Sequence, residues 1–286
     1  MKILILGANG MLGRDLDMVS KEAGHRVEGF DLPELDITRD TVALDDLPAC
    51  DWVVNCAAYT DVDRAESDGA ASRAVNDHGV ANVAGACVRR GVPLIHISTD
   101  YVFDGVRGRA YREDDPTNPL NEYGRSKLAG EGAFIASGVH GVIVRTQSLF
   151  GINGRSFVRA IRERLLQQAG PVKVVTDQVS SPTYTVHLAR AILRLMATNR
   201  KGIVHVSASG GCSWFEFACA IANRMGATGR VLPCTSEQFP RPARRPAYSV
   251  LDKARYKEWT GDTMPTWEEG LDAYFADIGK TRAGNT

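Results

Sequence analysis

The chain alternates short apolar runs with longer amphipathic segments, a pattern typical of a parallel sheet with helices on both faces. A buried parallel strand appears as an almost continuous apolar run because both of its faces are covered. Runs of this kind predict strands at 1–6, 25–30, 51–55, 94–97 and 202–207. The pattern therefore predicts an α/β protein whose sheet is of the Rossmann type, parallel and doubly wound.

The amphipathic segments between these strands predict the helices. Ser213 followed by Glu216 has the pattern of a capping box, with the hydroxyl at the N-cap and the carboxylate three residues later. Tyr123 is expected near the start of another helix, after a polar loop punctuated by proline. The remaining predicted helices span 14–23, 65–90, 157–168, 214–224 and 267–278.

Composition narrows the class of protein. Of the 286 residues, 44% are hydrophobic and 24% are charged, which is ordinary for a globular protein. Lys plus Arg and Asp plus Glu both number 34, so no broad basic surface is expected, which argues against binding nucleic acid through phosphates. No apolar run reaches about 18 residues and the N-terminus lacks a signal-peptide pattern, so no membrane partner is expected.

The cysteines indicate a reducing compartment. None of them has the Cys-x-x-Cys spacing of a metal or redox motif, and several lie in apolar contexts that suit small buried side chains. A cytoplasmic location is therefore predicted. The cysteines are Cys50, Cys56, Cys87, Cys212, Cys219 and Cys234.

A glycine-rich turn follows the first predicted strand. The sequence Gly7-Ala8-Asn9-Gly10-Met11-Leu12-Gly13 separates that strand from the first helix. Glycines in this place permit a tight turn and let the backbone approach a pyrophosphate, whose charge meets the helix N-terminus. The spacing is Gly-x-x-Gly-x-x-Gly, and the strand–turn–helix order predicts a dinucleotide cofactor.

Asp31 lies directly after the second predicted strand. A carboxylate in this position accepts hydrogen bonds from the adenosine ribose hydroxyls and repels a 2′-phosphate. The sequence therefore favours NADH over NADPH. Asp36 and Ile37 follow in a short loop that suits the edge and face of an adenine.

Two further segments are expected at the carboxyl edge of the sheet, where ligands bind in doubly wound folds. Ala58, Tyr59 and Thr60 follow the strand at 51–55, and small residues there allow a cofactor to lie close. Thr99 follows the strand at 94–97, where its hydroxyl can bind a substrate carbonyl.

Tyr123 and Lys127 are spaced to share one face of a helix. A nearby lysine favours the phenolate, so we expect a lowered pKa for Tyr123 and a role for it in proton transfer. Alone, the Tyr-x-x-x-Lys spacing is a weak signal, because an exposed tyrosine beside a solvated lysine gives the same pattern.

Several motifs together resemble the dTDP-4-dehydrorhamnose reductase family within the extended short-chain dehydrogenases/reductases. The similarity extends over residues 1–270. The motifs are Gly7-x-x-Gly10-x-x-Gly13, Ser98-Thr99-Asp100-Tyr101-Val102-Phe103, Val62-Asp63-Arg64-Ala65-Glu66, Tyr123-x-x-x-Lys127, Asp177-Gln178-Val-Ser-Ser-Pro182-Thr183 and Arg241-Pro-Ala-Arg-Arg-Pro246.

The resemblance implies a Rossmann domain at 1–150, to which later segments return, and a mainly sugar-nucleotide-binding domain at 151–286. It also implies reduction of dTDP-4-dehydro-L-rhamnose to dTDP-L-rhamnose by hydride from NADH or NADPH. A homodimer and Mg²⁺ are further family features, and Asp15 is the nearest candidate ligand for the metal.

The resemblance assigns roles residue by residue. Tyr123 protonates the keto oxygen, Thr99 hydrogen-bonds it, and Lys127 holds the nicotinamide ribose. The implied cofactor contacts are Gly7, Gly10, Met11, Leu12, Gly13, Asp31, Asp36, Ile37, Ala58, Tyr59, Thr60, Ile97, Tyr123, Lys127 and Pro182. The implied substrate contacts are Val62, Thr99, Asp100, Tyr101, Ser148 and Arg245.

Ser148 departs from the family pattern, which has a tryptophan that packs on the sugar ring. A serine removes a large apolar surface. Either a neighbour such as Tyr101 or Phe150 compensates, or the substrate is a different dTDP- or UDP-4-keto deoxysugar.

Three other functions compete with a reductase. A dehydratase of this superfamily needs an acid pair after the threonine, and here Tyr101 follows Thr99-Asp100. A sugar-nucleotide 4-epimerase shares the tyrosine and lysine. A non-catalytic NADP-binding regulatory subunit also resembles the family, although the presence of Thr99, Tyr123 and Lys127 favours an enzyme.

Overall fold

The computed structural model describes residues 1–39, 42–167 and 170–283. Its strands, in chain order, are β1 (Lys2–Leu6), β2 (Arg26–Phe30), β3 (Trp52–Asn55), β4 (Leu94–Thr99), β5 (Gly141–Thr146), β6 (Leu149–Phe150), β7 (Val172–Val175), β8 (Val179–Ser180), β9 (Thr183–Tyr184), β10 (Gly202–His205), β11 (Cys212–Ser213) and β12 (Val231–Cys234).

The helices are numbered in the same way. They are α1 (Met11–Glu22), α2 (Val42–Asp45), α3 (Val62–Ala65), α4 (Gly69–Arg73), α5 (Gly79–Arg90), α6 (Glu122–Ser137), α7 (Phe157–Gln167), α8 (Thr185–Thr198), α9 (Trp214–Arg224), α10 (Ala254–Thr260) and α11 (Trp267–Ala283). A π-helical segment, Ala74–His78, joins α4 to α5, and a 3₁₀ turn, Asp100–Val102, follows β4.

The central sheet confirms the predicted fold class. Within the described residues it has six strands, all parallel, in the order β10-β5-β4-β3-β1-β2. The chain order reverses between β1 and β3, so their carboxyl ends flank the crevice in which doubly wound sheets bind ligands. The glycine turn after β1 and the loop after β3 meet at this crevice.

Alternating residues of β1 face two separate hydrophobic layers, because successive side chains of a strand point to opposite faces. Ile3 and Ile5 belong to the cluster that includes α1 and α8, whereas Leu4 and Leu6 belong to the cluster that includes α5 and Phe134 of α6. Ile3, Leu4 and Ile5 have no exposed surface. The sheet is therefore covered on both faces, as its continuous apolar strands predicted.

The segments after residue 150 contribute both to the central sheet and to smaller sheets. β10 completes the central sheet and α8 packs on α1, while the parallel pair β7–β12 and the antiparallel pair β8–β11 form smaller sheets. β10, which comes after residue 150, thus pairs with β5 in the central sheet. The division into two domains at residue 150, with later segments returning to the first, stays a prediction.

The helix predicted at 65–90 is the largest departure from the expected elements. The chain instead forms α3, a break at 66–68, then α4, the π segment and α5. Asp61 caps α3 by accepting a hydrogen bond from the Arg64 amide, and a new helix begins after Asp68. Separately, no helix in the described part of the chain is long and apolar enough to cross a membrane.

Gly130 allows α6 to pack closely on the π segment. A Cβ at this position would collide with the carbonyl oxygen of Asn76, which is backbone and cannot move aside easily. Gly132, one half-turn further along α6, has nothing within 4 Å of its Cβ position. The two glycines of one helix therefore meet opposite steric environments.

We expect Gly130→Ala to lower the free energy of unfolding by about 1–3 kcal/mol, the usual range for overpacking. Gly132→Ala is the matched control, and removing a helical glycine there should stabilise the protein by up to about 1 kcal/mol. Urea unfolding of both variants measures the difference. Equal effects would show that the close packing of α6 is unimportant.

Candidate active site

The glycine turn has the geometry expected for a pyrophosphate site. Gly7 has a φ of 77°, and its amide and that of Ala8 donate hydrogen bonds to the Phe30 carbonyl. A Cβ on Gly13 would collide with the backbone of Gly7 and Ala8. Gly10 is the N-cap of α1 and has no side chain to occupy the first amides, so they can bind an anion.

Asp31 lies beside this turn and stabilises it, in addition to the role toward the ribose that the sequence predicts. Its two carboxylate oxygens accept hydrogen bonds from the amides of Asn9 and Leu32, both at 2.8 Å. The carboxylate therefore joins the end of β2 to the glycine turn. The sequence did not reveal this second contribution.

Asp36 and Ile37 have separate environments. The Asp36 carboxylate accepts hydrogen bonds from the amide and hydroxyl of Thr38, which lower its pKa. The Ile37 side chain is only 6% exposed and packs in the cluster beneath α5. Their roles toward adenosine stay predictions.

Asn76 holds the loop after β3 in place. Its side-chain amide donates to the Tyr59 carbonyl at 3.0 Å, and its oxygen accepts from the Tyr59 amide at 2.9 Å. It also donates to the Ser126 hydroxyl at 3.0 Å, which connects Ala58–Thr60 to α6. A π segment often marks a functional site, and this one places a fully buried asparagine that the sequence showed only as a helical residue.

Tyr123 stands in the first turn of α6 because Asn121 fixes where the helix begins. The Asn121 side chain accepts a hydrogen bond from the Gly124 amide at 2.7 Å, which makes it the N-cap. Its amide also donates to the Arg244 carbonyl at 2.7 Å. One side chain therefore positions the tyrosine relative to the basic loop 241–246.

The Tyr123 phenol lies beside the Thr99 side chain, and its ring packs edge-on against Tyr101 at 5.8 Å between centroids. The expectation of a lowered pKa is wrong. Loss of solvation raises the pKa of Tyr123 to about 12 with the help of the nearby Asp100 charge, while the neighbouring Thr99 side chain opposes the shift. The phenol is thus neutral at physiological pH, which suits a proton donor.

Lys127 is buried, with 2% of its surface exposed, and its ammonium donates to the Ile97 carbonyl at 2.7 Å. Burial lowers the pKa of Lys127 to about 8, and the negative charge of Glu131 limits that shift. Glu131 in turn forms a buried ion pair with Arg145 at 2.6 Å and accepts from Ser98 at 2.5 Å. Lys127 is therefore built into the interior, one helical turn from the partly buried Tyr123.

Asp100 is 2% exposed and accepts a hydrogen bond from the Thr99 hydroxyl at 3.1 Å. Burial raises its pKa to about 7, although hydrogen bonds from Ser249 and Thr99 oppose the shift. Asp100 also lines a small pocket whose other walls come from several separate segments of the chain. The full lining is Asp100, Tyr101, Ser148, Gln178, Val179, Ser180, Trp214, Arg245, Pro246 and Ser249.

Ser148 lies on this pocket in the left-handed conformation, with a φ of 48°. Its hydroxyl is 2.8 Å from that of Ser180. Of the two neighbours expected to compensate for the missing tryptophan, Tyr101 lines the pocket. Phe150 does not, because it is 1% exposed and stacks on Tyr184 in the core. Trp214 lines the pocket instead, a role that its position in the capping-box motif did not indicate.

Arg245 enters the pocket from the basic loop. It forms a bidentate pair with Asp63, with both nitrogen–oxygen distances at 3.0 Å, and a hydrogen bond with the Tyr101 side chain. Asp63 follows Val62, the first residue of α3. The loop is therefore joined to the helix that begins at Val62, and its guanidinium is held at the pocket wall.

Pro182 and Asp15 occupy other positions. Pro182 is buried between β8 and β9, next to Thr183, whose amide donates to the Ser148 carbonyl. Asp15 is 4% exposed between α1 and α8 and accepts hydrogen bonds from Thr185 and Asn153. No group of three or more His, Cys, Asp or Glu side chains that could hold a metal occurs in 1–39, 42–167 or 170–283.

The structure thus brings Thr99, Asp100, Tyr101, Tyr123 and Lys127 together at the carboxyl end of β4. Ser148 and Arg245 border the same pocket. Asp36, Ile37 and Asp15 lie outside this group.

Comparison with known proteins identifies the family. Residues 1–279 match the family model described as RmlD substrate binding domain. The chain belongs to this family. A member from Mycolicibacterium smegmatis, dTDP-4-dehydrorhamnose reductase, is 42% identical over 288 residues, which cover 99% of this chain and 88% of that protein.

Other members differ in their named substrate. A dTDP-4-keto-6-deoxy-D-glucose reductase from Streptomyces niveus is 38% identical over 276 residues, covering 95% of this chain and 96% of that protein. The crystal structure of dTDP-4-dehydrorhamnose reductase from Bacillus anthracis in complex with NADP has a TM-score of 0.93 and 37% identity. That match covers 96% of this chain and 99% of the other.

Replacing Asp31 tests the cofactor preference. Asp31→Asn removes the charge and keeps an oxygen for the backbone amides, whereas Asp31→Ala removes both. We expect Asn to raise kcat/KM with NADPH relative to NADH by about tenfold, since a 2′-phosphate is no longer repelled. The Ala variant should also lose stability, which thermal unfolding measures. An unchanged NADPH/NADH ratio in both variants would remove Asp31 from cofactor selection.

The pH dependence of activity tests Lys127. With a pKa of about 8, its ammonium is charged below that pH and neutral above it. We therefore expect kcat/KM to fall as the pH rises through about 8, because this parameter reports the free enzyme. Lys127→Arg, which stays charged, should lose this basic limb even if its overall rate is lower. A limb near the ordinary lysine value of about 10 would contradict the burial effect.

Proposed function

We propose that the chain reduces the 4-keto group of a dTDP-activated 6-deoxysugar, with dTDP-4-dehydro-L-rhamnose as substrate and dTDP-L-rhamnose as product. One observation carries the proposal: the neutral Tyr123 phenol lies beside Thr99, and its ring packs against Tyr101, which lines the pocket together with Asp100 and Arg245. Proton donor and polar pocket are thus adjacent. The family relationship supports the same reaction.

The residues present suit a nicotinamide cofactor. The tight turn at Gly7 and Gly13 and the uncapped amides of α1 suit a pyrophosphate. The buried ammonium of Lys127, which has three donors and gives one to Ile97, suits a ribose. The cofactor supplies the hydride when it is bound.

The chain's own residues then handle the proton and the developing charge. As negative charge forms on the keto oxygen, Tyr123 donates its proton and Thr99 stabilises the same oxygen by a hydrogen bond. The positive charge of Lys127, four residues along α6, stabilises the phenolate that remains. Arg245 pairs with Asp63 in a bidentate manner, and the N–H donors that this pair leaves at the pocket wall suit an oxygen of the diphosphate.

A second candidate is reduction of another dTDP- or UDP-4-keto deoxysugar. Ser148 and Trp214 shape the pocket differently from the family tryptophan, and the S. niveus relative is named for a different sugar. Oxidation of NADH or NADPH with a panel of 4-keto sugar nucleotides, followed by product identification, separates these substrates. A 4-epimerase would give an isomer without net cofactor oxidation, and a regulatory subunit would bind cofactor without turnover.

The preference for NADH, dependence on Mg²⁺, a homodimer and a cytoplasmic location stay predictions. Asp15 is the proposed metal contact only through family resemblance. Its hydrogen bonds from Thr185 and Asn153 already account for its burial.

Tyr123→Phe tests the proposed proton donor. We expect kcat to fall by about 10²–10⁴, the usual contribution of general acid catalysis, while cofactor affinity is unchanged. Tyr101→Phe is the matched control, since its ring lies beside Tyr123 but its hydroxyl bonds Arg245, so it should mainly raise KM. A Tyr123→Phe enzyme with near-native kcat would overturn the assignment.

A further inference from the structure

The substrate pocket has a strongly polar set of walls. Asp100, Arg245 and the hydroxyl pair of Ser148 and Ser180 supply charge and hydrogen-bonding groups. A sugar ring also presents C–H faces, and a 6-deoxysugar adds a methyl group, so its binding site needs an apolar surface with polar groups placed around it. Trp214 supplies the aromatic surface of this pocket on the side of the C-terminal segments.

We propose that the indole of Trp214 is the wall against which the deoxysugar packs, and that Trp214 thereby determines which sugar is accepted. This proposal rests on the proposed function, because it names the residue that selects the sugar in the same pocket. The proposal assigns to α9 the apolar contact with the sugar that the small, polar side chain of Ser148 does not supply.

Trp214 is held rigidly, which is what a selective wall requires. It is the first residue of α9, whose capping box links the Ser213 hydroxyl to the Glu216 amide and the Glu216 carboxylate to the Ser213 amide, the latter at 2.7 Å. Its own amide donates to the Gln178 carbonyl at 3.2 Å. Ordering the indole on binding therefore costs little entropy.

The indole is also packed from behind. The Phe157 ring lies 4.5 Å from it between centroids, at an interplanar angle of 48°, and Phe217 lies at 6.4 Å. Both rings belong to the main hydrophobic cluster or pack against it. The indole is thus supported by the core on one side while it borders the pocket on the other.

Ser148 borders the same pocket and leaves room for this arrangement. Its side chain is small, its hydroxyl pairs with Ser180, and it offers no extended apolar surface. A tryptophan at position 148 would claim the space that the sugar and Trp214 share. The two positions should therefore be energetically coupled, as residues that share one cavity are.

An apolar wall favours a methyl group at C6 over a hydroxymethyl group, because a hydroxyl buried without a partner is unfavourable. Such a pocket discriminates by about 10- to 100-fold. The native protein should consequently bind dTDP-L-rhamnose more tightly than dTDP-L-mannose, which differs from it only by the hydroxyl group at C6. The affinity for dTDP alone reports the nucleotide contacts.

The test measures the affinity of these three ligands by calorimetry in four proteins besides the native one. Trp214→Ala should weaken the binding of dTDP-L-rhamnose about tenfold, reduce the preference over dTDP-L-mannose, and leave the affinity for dTDP unchanged. With the 4-keto substrate it should raise KM more than it lowers kcat. Unchanged dTDP-L-rhamnose affinity, or an equal loss for dTDP, would overturn the proposal.

Trp267→Ala is the matched control for damage to the aromatic cluster. Like Trp214, Trp267 is the first residue of a helix, and a reciprocal pair of hydrogen bonds between Thr266 and Glu269 caps that helix. Its ring also packs against Phe217, at 5.7 Å between centroids. It does not line the pocket. The proposal requires that Trp267→Ala keep native ligand affinities. A loss of dTDP-L-rhamnose affinity in Trp267→Ala equal to that in Trp214→Ala would contradict it.

Ser148→Trp and the double variant Ser148→Trp/Trp214→Ala complete the experiment. Ser148→Trp alone should weaken the binding of dTDP-L-rhamnose. In the Trp214→Ala background the same substitution should instead restore affinity. Additive losses would show that the two positions do not share a surface. If no 4-keto sugar is reduced while this binding pattern is intact, the proposed reaction is rejected. The role of Trp214 in binding is not rejected by that result.

Discussion

A buried set of charges on α6 and β5 holds the candidate active site together. Lys127, Glu131 and Arg145 each have about 2% of their surface exposed. Charges at such depth are tolerated only when they are paired and hydrogen-bonded, and removing one partner is strongly destabilising. Because these partners come from α6, β4 and β5, the helix is held in one register against the carboxyl end of the sheet. Tyr123 is placed by that register.

The loops around this core are joined by side chains that bond to backbone. Asn76 bonds the backbone N–H and C=O of Tyr59, Asn121 donates to the Arg244 carbonyl, and Asp63 pairs with Arg245. Loops that carry function are usually mobile. Here each receives a specific anchor from a helix or its cap, so the cofactor crevice and the sugar pocket keep a defined geometry relative to Tyr123.

The pocket takes its lining from distant parts of the chain. Phe150 lies close to Ser148 in sequence but does not line the pocket, because Phe150 is buried in the core. Trp214 borders the pocket from α9 instead. Family resemblance therefore indicates the reaction more directly than the sugar, since the reaction depends on α6 and β4 while the sugar contacts come from several separate segments.

The sequence by itself determined the fold class, the glycine turn and the Tyr123–Lys127 pair. Apolar periodicity and helical spacing are local properties, so they are visible without coordinates. The tertiary structure alone decided the raised pKa of Tyr123, the bonds of Asp31 to the turn, the π segment with Asn76, and the place of Trp214. Each depends on burial or on contacts between residues far apart in the chain, and sequence spacing carries no record of either.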